Sequence, residues 1–238
     1  MIWRWLTCSS LAAAAVAGAV SGAVSGNVTL HDSRVAAVSK HANYSGVVVS
    51  LVPLGRPAEP QATGHYRMLQ KDKMFMPHVL PVFTGSTVDF PNADPIFHNA
   101  FSSYSGQIFD VGLYPPGSNR SVRFTRPGVV RVFCNIHPSM SAVVLVLETP
   151  YFATTAADGS FHIDAPPGEY QLNFFHERAT EASLGALSRR ITVGDAPLQI
   201  PAIAISESGY LVAPHKNKYG VDYPPGPVND SVYPGAKK

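Results

Sequence analysis

The residues from Cys134 to Met140 read Cys-Asn-Ile-His-Pro-Ser-Met, so a thiol, an imidazole and a thioether fall on one short loop in the spacing C-x2-H-x2-M. A cupric site suited to electron transfer uses one Cys thiolate and two His nitrogens in a trigonal arrangement, with a weak axial Met. Cys134, His137 and Met140 supply three of those four donors. The best source of the second imidazole is His98, in Pro95-Ile96-Phe97-His98-Asn99-Ala100-Phe101, directly after the turn Asn92-Ala93-Asp94-Pro95. A turn of that kind at the end of a strand can hold a side chain rigidly, and Asn99 is placed to bridge this segment to the Cys134 loop by hydrogen bonds. Donors taken from two distant segments let the fold impose geometry on the ion. One mononuclear copper is the cofactor that this set predicts.

The elements that must hold these residues read as short strands with frequent turns. From Gly64 to Leu147 the strand-like runs are His65 to Gln70, Met74 to Phe83, Thr87 to Phe90, Ile108 to Leu113, Ser121 to Phe124, Val129 to Phe133 and Ala142 to Leu147. Turn residues punctuate them at Lys71-Asp72-Lys73, Gly85, Asn92 to Pro95, Pro115-Pro116-Gly117 and Arg126-Pro127-Gly128, a spacing that argues for a sandwich or barrel. Two further runs, 26–30 and 46–52, precede the linker-like stretch 55–60. After the loop, Asp158-Gly159 stands between alternating segments and predicts a hairpin. A helix is expected only over Thr180 to Leu187. Residues 207–238 are rich in Pro and Tyr and poor in aliphatics, and predict an extended or disordered tail.

At His98 with Asn99 and at C-x2-H-P-x-M the chain resembles the cupredoxins, the small blue copper proteins, and in particular their amicyanin-like and plastocyanin-like members. The resemblance covers about 64–148 and implies an all-β Greek-key sandwich with His98, Cys134, His137 and Met140 as copper ligands. More broadly the chain looks like cupredoxin-containing proteins labelled as methylamine-utilisation proteins, in which a D-G-x-F…P-x-G-x-Y segment follows the copper domain. Residues 151–206 resemble the C-terminal part of a carboxypeptidase-regulatory-like, transthyretin-like sandwich, with Asp158-Gly159 and Pro167-Gly168-Glu169-Tyr170 as matching turns. That part alone has too few strands to close a core, and 26–52 supply the opening pattern G-x-V-x…V-V-x-L of such modules. The expected organisation is a cupredoxin domain at 64–148 inserted in a module made of 26–61 and 149–206. The alternative is that 26–61 are early strands of an enlarged cupredoxin.

Other histidines carry less. His78, in Met76-Pro77-His78-Val79, reads as a strand residue packed near the site or facing solvent, and His162 and His176 read as surface or hairpin residues. His31, His41, His65 and His215 have no informative spacing. No two histidines stand as H-x-H, which excludes the paired imidazoles of multicopper oxidases, and no C-x3-C offers a dinuclear thiolate-bridged centre. Zinc fits less well because Met is a poor zinc ligand. The expectation is thus a protein that is not an enzyme.

The chain of 238 residues opens Met1-Ile2-Trp3-Arg4-Trp5 and continues as a small-residue apolar run, the pattern of a secretory signal peptide. Ala23-Val24-Ser25 suits a cut that leaves Gly26 first, with a cut after Ser21 as the second choice, so 1–25 is the expected leader. An uncleaved anchor is the other reading, against which the run is short for a span. Cys8, one of two cysteines, would leave with it. Loss of Arg4 takes one of 18 Lys+Arg and none of 16 Asp+Glu, so the net charge falls from +2 to +1. A balance so near neutral gives no reason to expect nucleic acid or an anionic membrane as partner, and no membrane span remains after cleavage. The expected protein is periplasmic or secreted and passes single electrons between redox partners, a dehydrogenase or a cytochrome-like protein. Copper delivery or sensing is the first alternative, and a structural surface module with a vestigial copper fold the second. Sequons at Asn27, Asn43, Asn119 and Asn229 matter only in a glycosylating pathway.

Overall fold

In the computed structural model of the protein, residues 22–57, 63–103, 106–209 and 215–223 are described. They form an all-β structure in which the described helices, Ala36–Ser39 and Glu181–Leu187, are both short. The second begins where Thr180 accepts a hydrogen bond from the Ser183 amide, as an N-cap should.

Apolar side chains gather in two separate cores. One draws on 68–146, including Met68, Phe75, Phe90, Tyr114, Phe124, Cys134 and Met140. Its larger sheet runs Val79–Phe83, Ser141–Leu147, Gly128–Phe133, Phe101–Ser102 and Phe109–Asp110 in spatial order. The first pair is parallel and the others antiparallel. A smaller sheet of Ser121–Arg123, Thr87–Asp89 and His65–Arg67 belongs to the same stretch of chain. Ser141–Leu147, paired on both sides, is buried almost throughout, as a central strand covered on both faces should be.

The other core combines the two ends of the described chain: Val24 to Leu51 with Tyr151 to Ile205. Gly22–His31 lies between Ser160–Ala165 on one side and Leu198–Gln199 and Ile203–Ser206 on the other. A second sheet runs Phe152–Thr154, Val48–Pro53, Gly168–Phe175 and Arg189–Val193. Gly22–His31 buries every second residue, the period of a half-covered strand.

Several sequence expectations need correction. The strand expected from 26 begins at Gly22, with Gly22 to Ser25 paired to Ala165 through His162, so a cut after Ser25 would remove its first four residues. The expected leader up to Ser21 lies outside the described residues. The run Met74 to Phe83 is two strands, Met74–Met76 and Val79–Phe83, in different sheets, because Pro77 has no N–H to continue a ladder. Asp158-Gly159 does not close a hairpin. Phe152–Thr154 pairs with Val48–Pro53, whereas Ser160–Ala165 pairs with Gly22–His31, so the turn is a corner between sheets. Gly159 is required there: its φ is +82°, and a Cβ would stand 1.9 Å from the Val28 carbonyl oxygen.

Candidate metal centre

The Cys134 loop begins where the strand Gly128–Phe133 ends and closes where Ser141–Leu147 begins. The Cys134 amide donates to the Met140 carbonyl at 3.2 Å and the Met140 amide to the His137 carbonyl at 3.0 Å, which folds the seven residues into a tight return. His98 reaches this loop from a different part of the chain. Its backbone exchanges two hydrogen bonds with Tyr114, at 3.1 and 2.9 Å, and the buried Tyr114 hydroxyl donates to the Phe90 carbonyl at 2.8 Å. Asn99 ties the segments together as the sequence suggested. It accepts from the Asn135 amide at 3.3 Å and donates to Asp110 and the Gly112 carbonyl at 2.8 and 2.9 Å.

The fold brings His98, Cys134 and His137 together, all buried, with their donor atoms within 4.8 Å of one another. Cys134 Sγ lies 3.9 Å from His98 Nδ1 and 3.6 Å from His137 Nδ1. Bonds of roughly 2.0–2.3 Å from nitrogen or sulfur to a first-row ion put two donors of the same ion about 3.5–4 Å apart, so these separations suit a shared metal. The two imidazole rings stand 4.8 Å apart at 64°. Met140 is fully buried in the same core as Cys134. One soft thiolate with two imidazoles is a donor set that favours copper.

Each donor is oriented by its surroundings. Asp94, four residues before His98, holds His98 Nε2 at 2.7 Å, so that ring nitrogen carries the proton and Nδ1 is left with its lone pair facing the sulfur. Asp94 is itself anchored by the amides of Asp72 and Lys73, at 2.7 and 2.9 Å. Those residues are the tip of a two-residue hairpin between Leu69–Lys71 and Met74–Met76. Both have positive φ, the geometry of a type I′ turn. Burial pushes the Asp94 carboxyl up, but the Lys73 amide, His98 and the Asp72 amide together hold it below the usual range. Burial raises the Cys134 thiol, and the amides of Ile136, Asn99 and His137 work against that by stabilising a thiolate.

Of the remaining histidines, His176 departs from the sequence reading, whereas His78 and His162 agree with it. His176 is buried, not a surface residue: its Nε2 bonds Glu207 at 2.9 Å, and Glu207 also accepts from Arg178 at 2.9 Å and Ser33 at 2.6 Å. His78 is half exposed and bonds Glu177, which also pairs with Arg131 at 3.0 Å. His162 lies on the exposed face of its strand. His215 stacks on Phe133 at the foot of the metal loop, 4.1 Å between centroids. His137 is buried, only 3% exposed. Asp94, Tyr114 and His215 were missed. The first had a legible signal in its i to i+4 spacing from His98, and the other two had none.

No protein-family model matches the chain, and no curated protein matches it. Among solved structures, it is 24% identical to a Cu-containing nitrite reductase from Thermus scotoductus SA-01, over 40% of this chain and 25% of that one, with a TM-score of 0.34. A purple cupredoxin from Nitrosopumilus maritimus is 22% identical over 34% of this chain and 99% of its own, with a TM-score of 0.32. A reduced Cu(I) form of an amicyanin variant is 21% identical over 42% of this chain and 98% of its own, with a TM-score of 0.34. The chain thus spans a quarter of the nitrite reductase and nearly the whole of the two smaller proteins. Among the described residues no helix is long and apolar enough to cross a membrane.

Proposed function

We propose that this is an exported mononuclear copper protein of the cupredoxin kind, which carries single electrons between a dehydrogenase or cytochrome-like donor and an acceptor and catalyses no reaction itself. The buried cluster of His98, Cys134 and His137, with donor atoms within 4.8 Å of each other, carries the reading. Bound there, copper supplies a one-electron couple between the cupric and cuprous states. Cys134 would provide the thiolate, His98 and His137 the imidazoles and Met140 the thioether. The Asp94 carboxylate and the amides around Cys134 keep those groups in place through the change of charge, which keeps reorganisation small. In this reading 64–148 is the copper domain, the two chain ends form a second domain around it, and the leader ends at Ser21, immediately before the strand Gly22–His31.

Burial of His137 favours a second reading, in which the site stores or delivers copper, because no ring edge is offered to a redox partner. The two separate in one experiment on the purified protein reconstituted with cupric ion. Electron transfer requires an intense thiolate-to-copper absorption band and a reversible one-electron couple. A colourless site, or one that yields its ion readily to a chelator, rejects the carrier role. Cys134→Ser abolishes the band, and its survival would overturn the ligand assignment.

A further inference from the structure

The segment His215–Tyr223 lies against the metal loop and touches it at successive points. Tyr223 donates its hydroxyl to the Cys134 carbonyl at 2.7 Å, and the Lys218 amide donates to Asn135 Oδ1 at 3.0 Å. His215 Nε2 stands 2.8 Å from the Pro138 carbonyl, and its ring is stacked on Phe133. A salt bridge from Lys218 to Asp110, 2.7 Å, fixes the segment to the end of the strand Phe109–Asp110, where the same carboxylate accepts from Asn99. The loop residues so engaged, Asn135 and Pro138, bracket His137.

The segment also has a form of its own. Asn217 Oδ1 accepts from the amides of Tyr219 and Val221 at 2.9 and 3.1 Å, and the Asn217 amide donates to the Val221 carbonyl at 2.9 Å. Gly220, at φ +74°, closes this knot. None of the nine residues is buried, and Tyr219 and Val221 are 74% and 59% exposed. Polar contacts with the loop and one aromatic stack therefore hold it, with no buried apolar side chain among its nine residues, and a unit held in that way opens locally at far less cost than the sandwich beneath.

We propose that residues 215–223 are a releasable cap on the metal centre, with Tyr223, Lys218 and His215 as positioning residues that keep the Cys134 loop closed. Access to Cys134 runs through release of this cap. The proposal rests on reading the Cys134 loop as a metal loop, yet its test needs no metal. The copper-free full-length protein, in a Cys8→Ser background so that Cys134 is the one thiol, is exposed to an uncharged disulfide reagent across low urea concentrations. Thiol modification is compared with Tyr223→Phe and with the combined variant that adds Lys218→Ala and His215→Ala. The expected result is a rate nearly flat with urea, raised about tenfold in the combined variant while the urea midpoint of global unfolding stays within experimental error. A rate unchanged in the combined variant, or one that rises with the full urea slope of global unfolding, overturns the cap. Failure to bind copper would overturn the proposed function and leave this result standing.

Discussion

At the scale of single residues, the candidate metal loop was legible because its possible donors are local: C-x2-H-x2-M is a fixed spacing on one turn of chain. His98 was legible only through the Asn/Asp/Pro turn before it. Asp94 was read as turn chemistry alone, although the structure gives it two jobs, accepting two hairpin amides and fixing the His98 ring at 2.7 Å. A carboxylate behind a metal-binding imidazole sets its tautomer and basicity, and loss of such a partner typically costs about 10–100-fold in metal affinity. Asp94→Asn is therefore expected to lower copper affinity by about that factor, measured by competition against a chelator of known strength, while Cys134 stays in place. Affinity equal to that of the parent would show that the fold alone orients His98.

At the scale of elements, period and punctuation located most strands, and two lessons concern what they could not convey. Met74 to Phe83 reads as one apolar run, although Pro77, which lacks an N–H, was a local signal of the break; what no local pattern conveys is that the two pieces join a hairpin and the large sheet. Asp158-Gly159 was rightly read as a turn, but whether the flanking strands pair with each other depends on partners more than a hundred residues away. The corner has an energetic consequence at Gly159, where Ala would carry both the positive φ and a Cβ 1.9 Å from Val28 O. Gly159→Ala is expected to destabilise the protein by about 2–4 kcal/mol, read as a lower urea midpoint. A midpoint unchanged would mean that the corner moves off the strand without cost.

At the scale of the whole molecule, the two cores meet through Glu177, which bonds His78 and Arg131 of the 68–146 stretch. The terminal core carries its own buried ionic knot at Glu207. Burial raises that carboxyl, but Arg178, Ser33 and His176 outweigh it and lower it from 4.5 to about 2. A carboxyl held low in the folded state stabilises fully above its unfolded value and loses that contribution as pH falls through the folded one. Stability should therefore decline between about pH 5 and pH 2, with Glu207 contributing on the order of 3 kcal/mol. His176 adds to the decline from a higher pH. Burial holds its imidazole below the usual value, so the unfolded chain takes up protons first. In Glu207→Gln the urea midpoint should be lower at pH 7 and fall less steeply with acid; parallel curves for the two proteins would refute the assignment. None of this was legible, because a buried hydrogen bond between His176 and Glu207 leaves no local pattern.

Among the described residues, the strand Gly22–His31 has its sheet partners at 160–165, 198–199 and 203–206. The described strands around the Cys134 loop, by contrast, lie between His65 and Leu147. For a chain made from its N-terminus, the order of appearance of these strands is thus the reverse of the order of completion. The first described strand to emerge waits with two unpaired edges, an aggregation liability, until its partners at 198–206 have been made, while the 65–147 stretch can close in the interval.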